Sequence, residues 1–181
     1  MRFALIYATT EGQTRKIVRA AADTLARLGH SVEILPAADG HDLDLARCDG
    51  VILAGSLHAG AYQKELRALA RARAGELARL PTLFLAVSLV AAGRDEDDWK
   101  GLEEAVQKFL TETGWTPGRI EHVAGAFRFS EYDFFKGLAM RWIASQKGIE
   151  AKRGEDVELT DWAGLAAAIE GWAASVATAM R

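Results

Sequence analysis

The sequence predicts a single α/β domain built on a doubly wound, five-stranded parallel sheet with helices on both faces. Short and almost wholly apolar runs alternate with segments of helical periodicity, a pattern typical of a parallel sheet that is buried on both sides. A chain of 181 residues without internal repeats or a low-complexity linker suits one domain. We therefore assign residues 1–181 to one domain, which carries an insert at about residues 128–159.

Five apolar runs have the length of buried strands, and four other stretches repeat apolar residues at helical spacing. In the first of these stretches, Ile17, Ala21, Leu25 and Leu28 form one face of a helix that Gly29 closes. The polar connection between the second and third strands supports at most a single helical turn. The predicted strands span residues 3–8, 31–35, 50–54, 82–87 and 122–127. The predicted helices span residues 13–28, 63–74, 99–113 and 161–180.

The loop after the first strand reads Thr-Thr-Glu-Gly-Gln-Thr and leads into the first predicted helix. Hydroxyls and backbone amides at a helix start favour an anion. The loop contains no Lys or Arg, which suits a monophosphate held by neutral donors, and it matches neither the nucleoside-triphosphate nor the dinucleotide glycine pattern. An ordinary Thr or Ser helix cap is the alternative. The predicted phosphate ligands are Thr9, Thr10, Glu11, Gly12, Gln13 and Thr14.

The loops after the first, third and fourth strands should converge, because ligands of doubly wound sheets bind outside the carboxyl ends of the strands. Glycines in residues 55–62 let the backbone approach a flat ligand, and Tyr62 is the best candidate to stack on it, unless Tyr62 packs at the helix start. For His58, a cofactor contact and a bystander role remain alternatives. Together the loops predict a site for flavin mononucleotide (FMN). Their candidate residues are Ser56, Leu57, His58, Ala59, Gly60, Tyr62, Ser88, Leu89, Val90 and Ala91.

The phosphate loop and the loop at residues 55–62, in this order, resemble the flavodoxin superfamily. Narrower motifs resemble the menaquinone-dependent protoporphyrinogen dehydrogenases over nearly the whole chain. These motifs are residues 11–15, Gly55-Ser56, residues 88–91, residues 124–126 and residues 160–162. The resemblance implies a flavodoxin-like strand order of 2-1-3-4-5, FMN as cofactor, and oxidation of protoporphyrinogen IX to protoporphyrin IX in haem biosynthesis. It also implies a membrane quinone, menaquinone or ubiquinone, as electron acceptor. We expect flavin-centred chemistry without a catalytic acid–base pair.

The insert is far longer than the usual connection of about 2–6 residues in such folds. Its apolar residues recur at helical spacing, and residues 128–153 hold six Lys or Arg against three acidic residues, a local +3 that leaves −6 for the rest of the chain. A short aromatic helix with a basic edge suits an anionic membrane surface or a flat substrate that carries carboxylates. Packing against the sheet edge is the alternative. The candidate residues are Arg128, Tyr132, Phe135, Lys136, Arg141 and Trp142.

Composition excludes several classes of function. A net charge of −3 and a pI near 5.8 argue against nucleic-acid binding. The single cysteine, Cys48, excludes an internal disulfide and a Cys-rich metal site, and the histidines lack metal spacing. The sequence has no apolar run of about 20 residues and no signal-peptide layout at the start. We therefore expect a cytoplasmic protein, either free or peripheral on the cytoplasmic face of the inner membrane.

Two other functions of the same fold stay open at this point. A soluble flavodoxin-type electron carrier would lack a substrate of its own, although the acidic docking face usual for such carriers is not evident. An NAD(P)H:quinone reductase would need a pyridine-nucleotide signature, which the sequence does not contain. The oligomeric state is not predicted.

Overall fold

A computed structural model describes residues 1–127 and 157–180, and its central feature is a parallel sheet. The five strands lie in the order β2-β1-β3-β4-β5, which confirms the predicted fold. In the parallel ladder between β1 and β3, Phe3 lies opposite Gly50 and Ile6 lies opposite Leu53. The strands are β1 (Arg2–Ala8), β2 (Ser31–Pro36), β3 (Gly50–Ser56), β4 (Thr82–Ser88) and β5 (Arg119–Ala124).

Helices cover both faces of the sheet. The helices are α1 (Gln13–Arg27), α2 (Lys64–Ala72), α3 (Ala74–Leu77), α4 (Glu96–Thr113) and α5 (Trp162–Ala179). Side chains of α1 and α5 join one buried apolar cluster, and side chains of α2 and α4 join the other. Successive residues of β1 alternate between the clusters, with Phe3 and Leu5 in the first and Ala4 and Ile6 in the second.

Several stretches differ from the predicted boundaries; α4, for instance, begins at Glu96 and not at residue 99. The fifth strand was expected at residues 122–127, but β5 ends at Ala124, and Ala126–Phe127 (β6) pairs antiparallel with Val157–Glu158 (β7) in a separate two-stranded sheet. The second predicted helix is interrupted at Arg73. The Arg73 guanidinium donates to backbone carbonyls of the connection between β2 and β3, including that of Leu43 at 2.8 Å. That connection, expected to hold at most one turn, forms two 3-10 segments, Ala37–Asp42 and Leu45–Arg47.

Several predictions concern residues outside the described ranges. The candidate substrate or membrane residues Arg128, Tyr132, Phe135, Lys136, Arg141 and Trp142 all lie there. Across residues 1–127 and 157–180, no helix is both long and apolar enough to cross a membrane. The same ranges contain no group of three or more His, Cys, Asp or Glu side chains that could hold a metal ion.

Candidate cofactor site

The phosphate loop turns sharply into α1. Gly12 is the N-cap residue with φ +88°, a left-handed conformation that side chains with a Cβ rarely adopt. Its N–H donates to Thr9 Oγ1 at 2.9 Å, which closes the turn. Within the described part of the chain, no side chain caps the start of α1. Since the first N–H groups of a helix have no intrahelical partners, this end of α1 is open to an anion.

Thr14 adds a hydroxyl at the same place. Its side chain is fully buried, and its Oγ1 has no hydrogen-bond partner among the described residues. Leaving a buried hydroxyl without a partner costs about 1–3 kcal/mol, so native structures rarely do so without a ligand or water. The alternative of an ordinary Thr or Ser cap is wrong, because the N-cap position belongs to Gly12.

Gln13 is positioned differently from its neighbours. Its buried side chain points away into a network, where Nε2 donates to Thr160 Oγ1 at 3.0 Å and to Glu158 at 3.1 Å. The Thr160 hydroxyl in turn donates to the carbonyl of Ala124, at the end of β5, at 2.7 Å. The side chain of Gln13 therefore connects α1 to β5, and the backbone N–H in the first turn is the group through which Gln13 could meet an anion.

Glu158 completes this network at the surface. Its carboxylate also accepts hydrogen bonds from Lys16 Nζ and Trp162 Nε1, both at 3.1 Å. Partial burial opposes ionisation of Glu158, but the hydrogen bonds from Lys16, Gln13 and Trp162 together hold its pKa below the usual value. Thr160, Asp161 and Trp162 form one of the motifs on which the family resemblance depends, and this network shows that Thr160 and Trp162 support the base of the phosphate loop.

A glutamine that the sequence analysis missed joins the first and third loops. Gln63 Nε2 donates to Thr10 Oγ1 at 3.0 Å and to Ser56 Oγ at 2.7 Å, and the Ser56 N–H donates to Gln63 Oε1 at 3.2 Å. Gln63 therefore links Thr10 to Ser56, so the loops after β1 and β3 meet as predicted. The available signal was its position as the polar residue between a glycine-containing loop and the start of α2.

Close packing brings α2 against the end of β3. A Cβ atom on Gly55 would lie 2.5 Å from Leu66 Cδ2 and 3.0 Å from Tyr62 Cδ1, so any other residue there would force the Leu66 side chain to shift. This approach sets Gln63, the N-cap residue of α2, beside Ser56.

Residues 58–61 form a tight turn beyond Ser56. His58 and Ala61 exchange backbone hydrogen bonds of 2.9 and 3.1 Å, while Ala59 and Gly60 have φ of +48° and +77°. Two successive positive φ values are typical of a type I′ turn. A non-glycine residue in this conformation is uncommon and stores backbone strain, which is typical of functional loops. Before the turn, the Leu57 N–H donates to the carbonyl of Val87 in β4 at 2.7 Å.

Tyr62 does not offer its ring to a ligand, and this prediction is wrong. The residue is 3 % exposed, and its ring packs edge-on against Phe84 and tilted against Phe109. Its hydroxyl has no partner in the described ranges, and burial raises the pKa of the Tyr62 phenol. The physical reason is the close contact at Gly55, which turns Tyr62 inward under the start of α2.

The loop after β4 is the third of the loops that were predicted to converge at the cofactor site. The buried Ser88 Oγ accepts the Ala91 N–H at 3.1 Å, and Val90–Ala92 forms a 3-10 turn. Leu89 is 37 % exposed, so it gives the loop an accessible apolar side chain. The end of this loop is held by α4, because Trp99 Nε1 donates to the carbonyl of Gly93 at 2.8 Å.

His122 packs against the Trp99 side chain that holds this loop: its ring is edge-on to the Trp99 ring at a centroid distance of 5.3 Å. Burial lowers the pKa of His122, while Glu103 and Glu121 oppose the shift. Its Nδ1 is buried without a partner among residues 1–127 and 157–180. Burial therefore disfavours the charged imidazole, which supports the loop through packing with Trp99.

Comparison with known proteins adds a family to this geometry. A family model described as "Flavodoxin domain" matches residues 4–153. The chain belongs to the flavodoxin domain family. Membership of this family indicates that the chain binds FMN. Among solved structures, a mutant flavodoxin from Pseudomonas aeruginosa has the same fold, with a TM-score of 0.53 and 19 % identity over 94 % of this chain and 100 % of the other.

Two curated relatives of this flavodoxin-domain chain carry an enzyme name. The Escherichia coli K12 protein named "Protoporphyrinogen IX dehydrogenase [quinone]" is 26 % identical over 162 residues, which cover 90 % of this chain and 89 % of the relative. A Leishmania major protein of the same name is also 26 % identical over 162 residues, 89 % of this chain and 70 % of the relative.

The described loops fit FMN. The uncapped start of α1 and the orphaned Thr14 hydroxyl supply neutral donors for a phosphate. Apart from His58, residues 56–60 and 88–91 have small or apolar side chains, which suit contact with a flat ring. Neither these loops nor residues 9–14 contain a Lys or Arg, so the fit favours a monophosphate over a triphosphate with its metal.

Proposed function

We propose that this flavodoxin-domain protein catalyses the FMN-dependent oxidation of protoporphyrinogen IX to protoporphyrin IX and passes the electrons to a membrane quinone, menaquinone or ubiquinone. The observation that carries the flavin site is the buried Thr14 hydroxyl without a partner at the uncapped start of α1. The substrate and acceptor are supported by the name of the E. coli relative, which aligns over about nine tenths of both chains. Such a reaction belongs to haem biosynthesis.

The first loop would hold the phosphate. The hydroxyls of Thr10 and Thr14 and the first N–H groups of α1 would be its donors, on either side of the left-handed turn at Gly12. Thr9 closes the turn through the Gly12 N–H, while Glu11 lies between them in the sequence. The positive end of the α1 dipole adds favourable electrostatics for a dianion without a salt bridge.

The loops after β3 and β4 would hold the flavin ring, which supplies reversible two-electron chemistry when bound. Leu57, His58, Ala59 and Gly60 would form one wall, shaped by the hydrogen bonds of the turn, and Ser88 holds the Val90–Ala92 turn of the other. The exposed Leu89 side chain suits contact with an apolar tetrapyrrole. A peripheral position on the cytoplasmic face of the inner membrane would bring the site to its quinone.

Anaerobic turnover tests the proposal. The full chain reconstituted with FMN is mixed with protoporphyrinogen IX and a menaquinone analogue, and porphyrin fluorescence is followed over time. We expect quinone-dependent porphyrin formation well above the chemical background, and its loss in a Thr14→Val variant measured at an FMN concentration that saturates only the wild type.

The two alternative functions of this fold predict different results in this experiment and in a second one with NADPH. A soluble electron carrier would show no porphyrin fluorescence above background, which would contradict the proposed activity. An NAD(P)H:quinone reductase would bleach the flavin absorbance with NADPH alone, whereas the proposed dehydrogenase leaves it unchanged.

A further inference from the structure

Gln63 uses its whole amide group to connect two cofactor loops. Nε2 donates one hydrogen bond to the hydroxyl of Thr10 in the first loop and one to the hydroxyl of Ser56 at the end of β3. Oε1 accepts the backbone N–H of Ser56. The amide cannot be reversed without setting its NH₂ group against that N–H, so the contacts fix which end donates.

The direction of these bonds decides what the two hydroxyls can do. A hydroxyl has one hydrogen to donate and two lone pairs that accept. Because Thr10 and Ser56 accept from the same nitrogen, each keeps its hydrogen for another acceptor. Among the described residues neither hydroxyl donates to a protein group. Gln63 therefore leaves two donors side by side, next to the turn at Gly12.

We infer that Gln63 is a positioning residue that holds the Thr10 and Ser56 hydroxyls as paired donors for the cofactor phosphate and thereby favours FMN over unphosphorylated riboflavin. The inference rests on the phosphate site proposed above. It concerns a side chain that need not touch the cofactor, since Gln63 acts through the two hydroxyls. Hydrogen bonds that a charged acceptor receives are the strong ones, so two oriented donors matter more to a phosphate than to an uncharged ribityl chain.

Gln63→Glu is the informative substitution because it keeps the size and reverses the hydrogen bonding. A carboxylate only accepts, so both hydroxyls would turn their hydrogens toward residue 63 and away from the phosphate. Its charge would also oppose the phosphate. Gln107→Glu is the matched control, since Gln107 is exposed on α4 and the same charge change there leaves the loops untouched.

The test titrates the full-length apoprotein with FMN and with riboflavin and follows flavin fluorescence. For Gln63→Glu we expect the Kd for FMN to rise by about a hundredfold and the Kd for riboflavin by less than about threefold. Gln107→Glu should change neither Kd. In a Ser56→Ala background the effect of Gln63→Glu on the FMN-to-riboflavin ratio should shrink, because one of the two donors is already absent.

The outcomes separate this inference from the proposed function. Suppose that the wild type binds FMN. If Gln63→Glu then raises the Kd for FMN and the Kd for riboflavin equally, or leaves both unchanged, Gln63 does not select for the phosphate and the inference is overturned. Gln63→Leu repeats the comparison should the glutamate variant unfold, with the same selective loss of FMN expected. A wild-type protein that binds no FMN would instead overturn the proposed function together with the inference.

Discussion

Replacing Thr14 by valine should separate the stability of the empty protein from its affinity for FMN. The Thr14 side chain is fully buried, and its Oγ1 has no hydrogen-bond partner in the described ranges. Valine has nearly the same shape, and removing a buried unsatisfied hydroxyl relieves a desolvation cost of about 1–3 kcal/mol. The free energy of unfolding of the apoprotein should therefore stay constant or rise.

The affinity for FMN should move in the opposite direction. A hydrogen bond to a charged group contributes about 1.5–3 kcal/mol, so its loss should raise the Kd for FMN by about 10- to 150-fold. Urea unfolding of the apoprotein and fluorescence titration with FMN measure the two quantities. Thr14→Ser keeps the hydroxyl and should keep most of the affinity. An apoprotein destabilised by more than about 1 kcal/mol in Thr14→Val, or an unchanged Kd for FMN, would refute the reasoning.

Three further predictions address neighbouring features. Gly12→Val forces a β-branched residue to φ +88°, so FMN absorbance should be lost on purification, whereas Gly75→Val, with open space around its Cβ, should stay yellow. Tyr62→Phe removes a buried hydroxyl without a described partner, so urea unfolding should show equal or greater stability and titration an unchanged FMN affinity; a weaker affinity would show that the hydroxyl serves the cofactor site. The pKa of Glu158 is lowered in the fold although burial opposes this, so its contribution is present above the ordinary Glu pKa of about 4.3 and is lost as pH falls through the folded value. Glu158→Gln should flatten that acid limb in urea unfolding measured across pH, and an unchanged limb would contradict the role of the Lys16 contact.

The sequence was sufficient for the sheet and for the loops that meet at its edge. Apolar runs identify buried strands because both faces of a parallel sheet are covered, and the order of the strands followed from the family resemblance. The sharp turn into α1 was predictable because a glycine before a helix start allows the left-handed conformation that Gly12 adopts; its binding of a phosphate stays a prediction. These are local properties, and local sequence carries them.

The errors arose where contacts between different secondary-structure elements decide the conformation. Tyr62 has the side chain of a stacking residue, but the absence of a Cβ at Gly55 lets α2 approach and turns the ring into the core. Gln63 was overlooked because its hydrogen bond to Thr10 joins residues more than fifty positions apart in the sequence. The fifth strand was placed too late because residues 126–127 have strand character but pair with β7 and not with β4.

The most direct test of the central claim follows the visible spectrum of the FMN-reconstituted protein through both halves of the proposed reaction under anaerobic conditions. Protoporphyrinogen IX alone should bleach the flavin absorbance, and subsequent addition of a menaquinone analogue should restore it. Protoporphyrin IX should accumulate only over repeated two-electron cycles in the presence of excess quinone. A protein that holds stoichiometric FMN but whose spectrum does not respond to protoporphyrinogen IX would contradict the account.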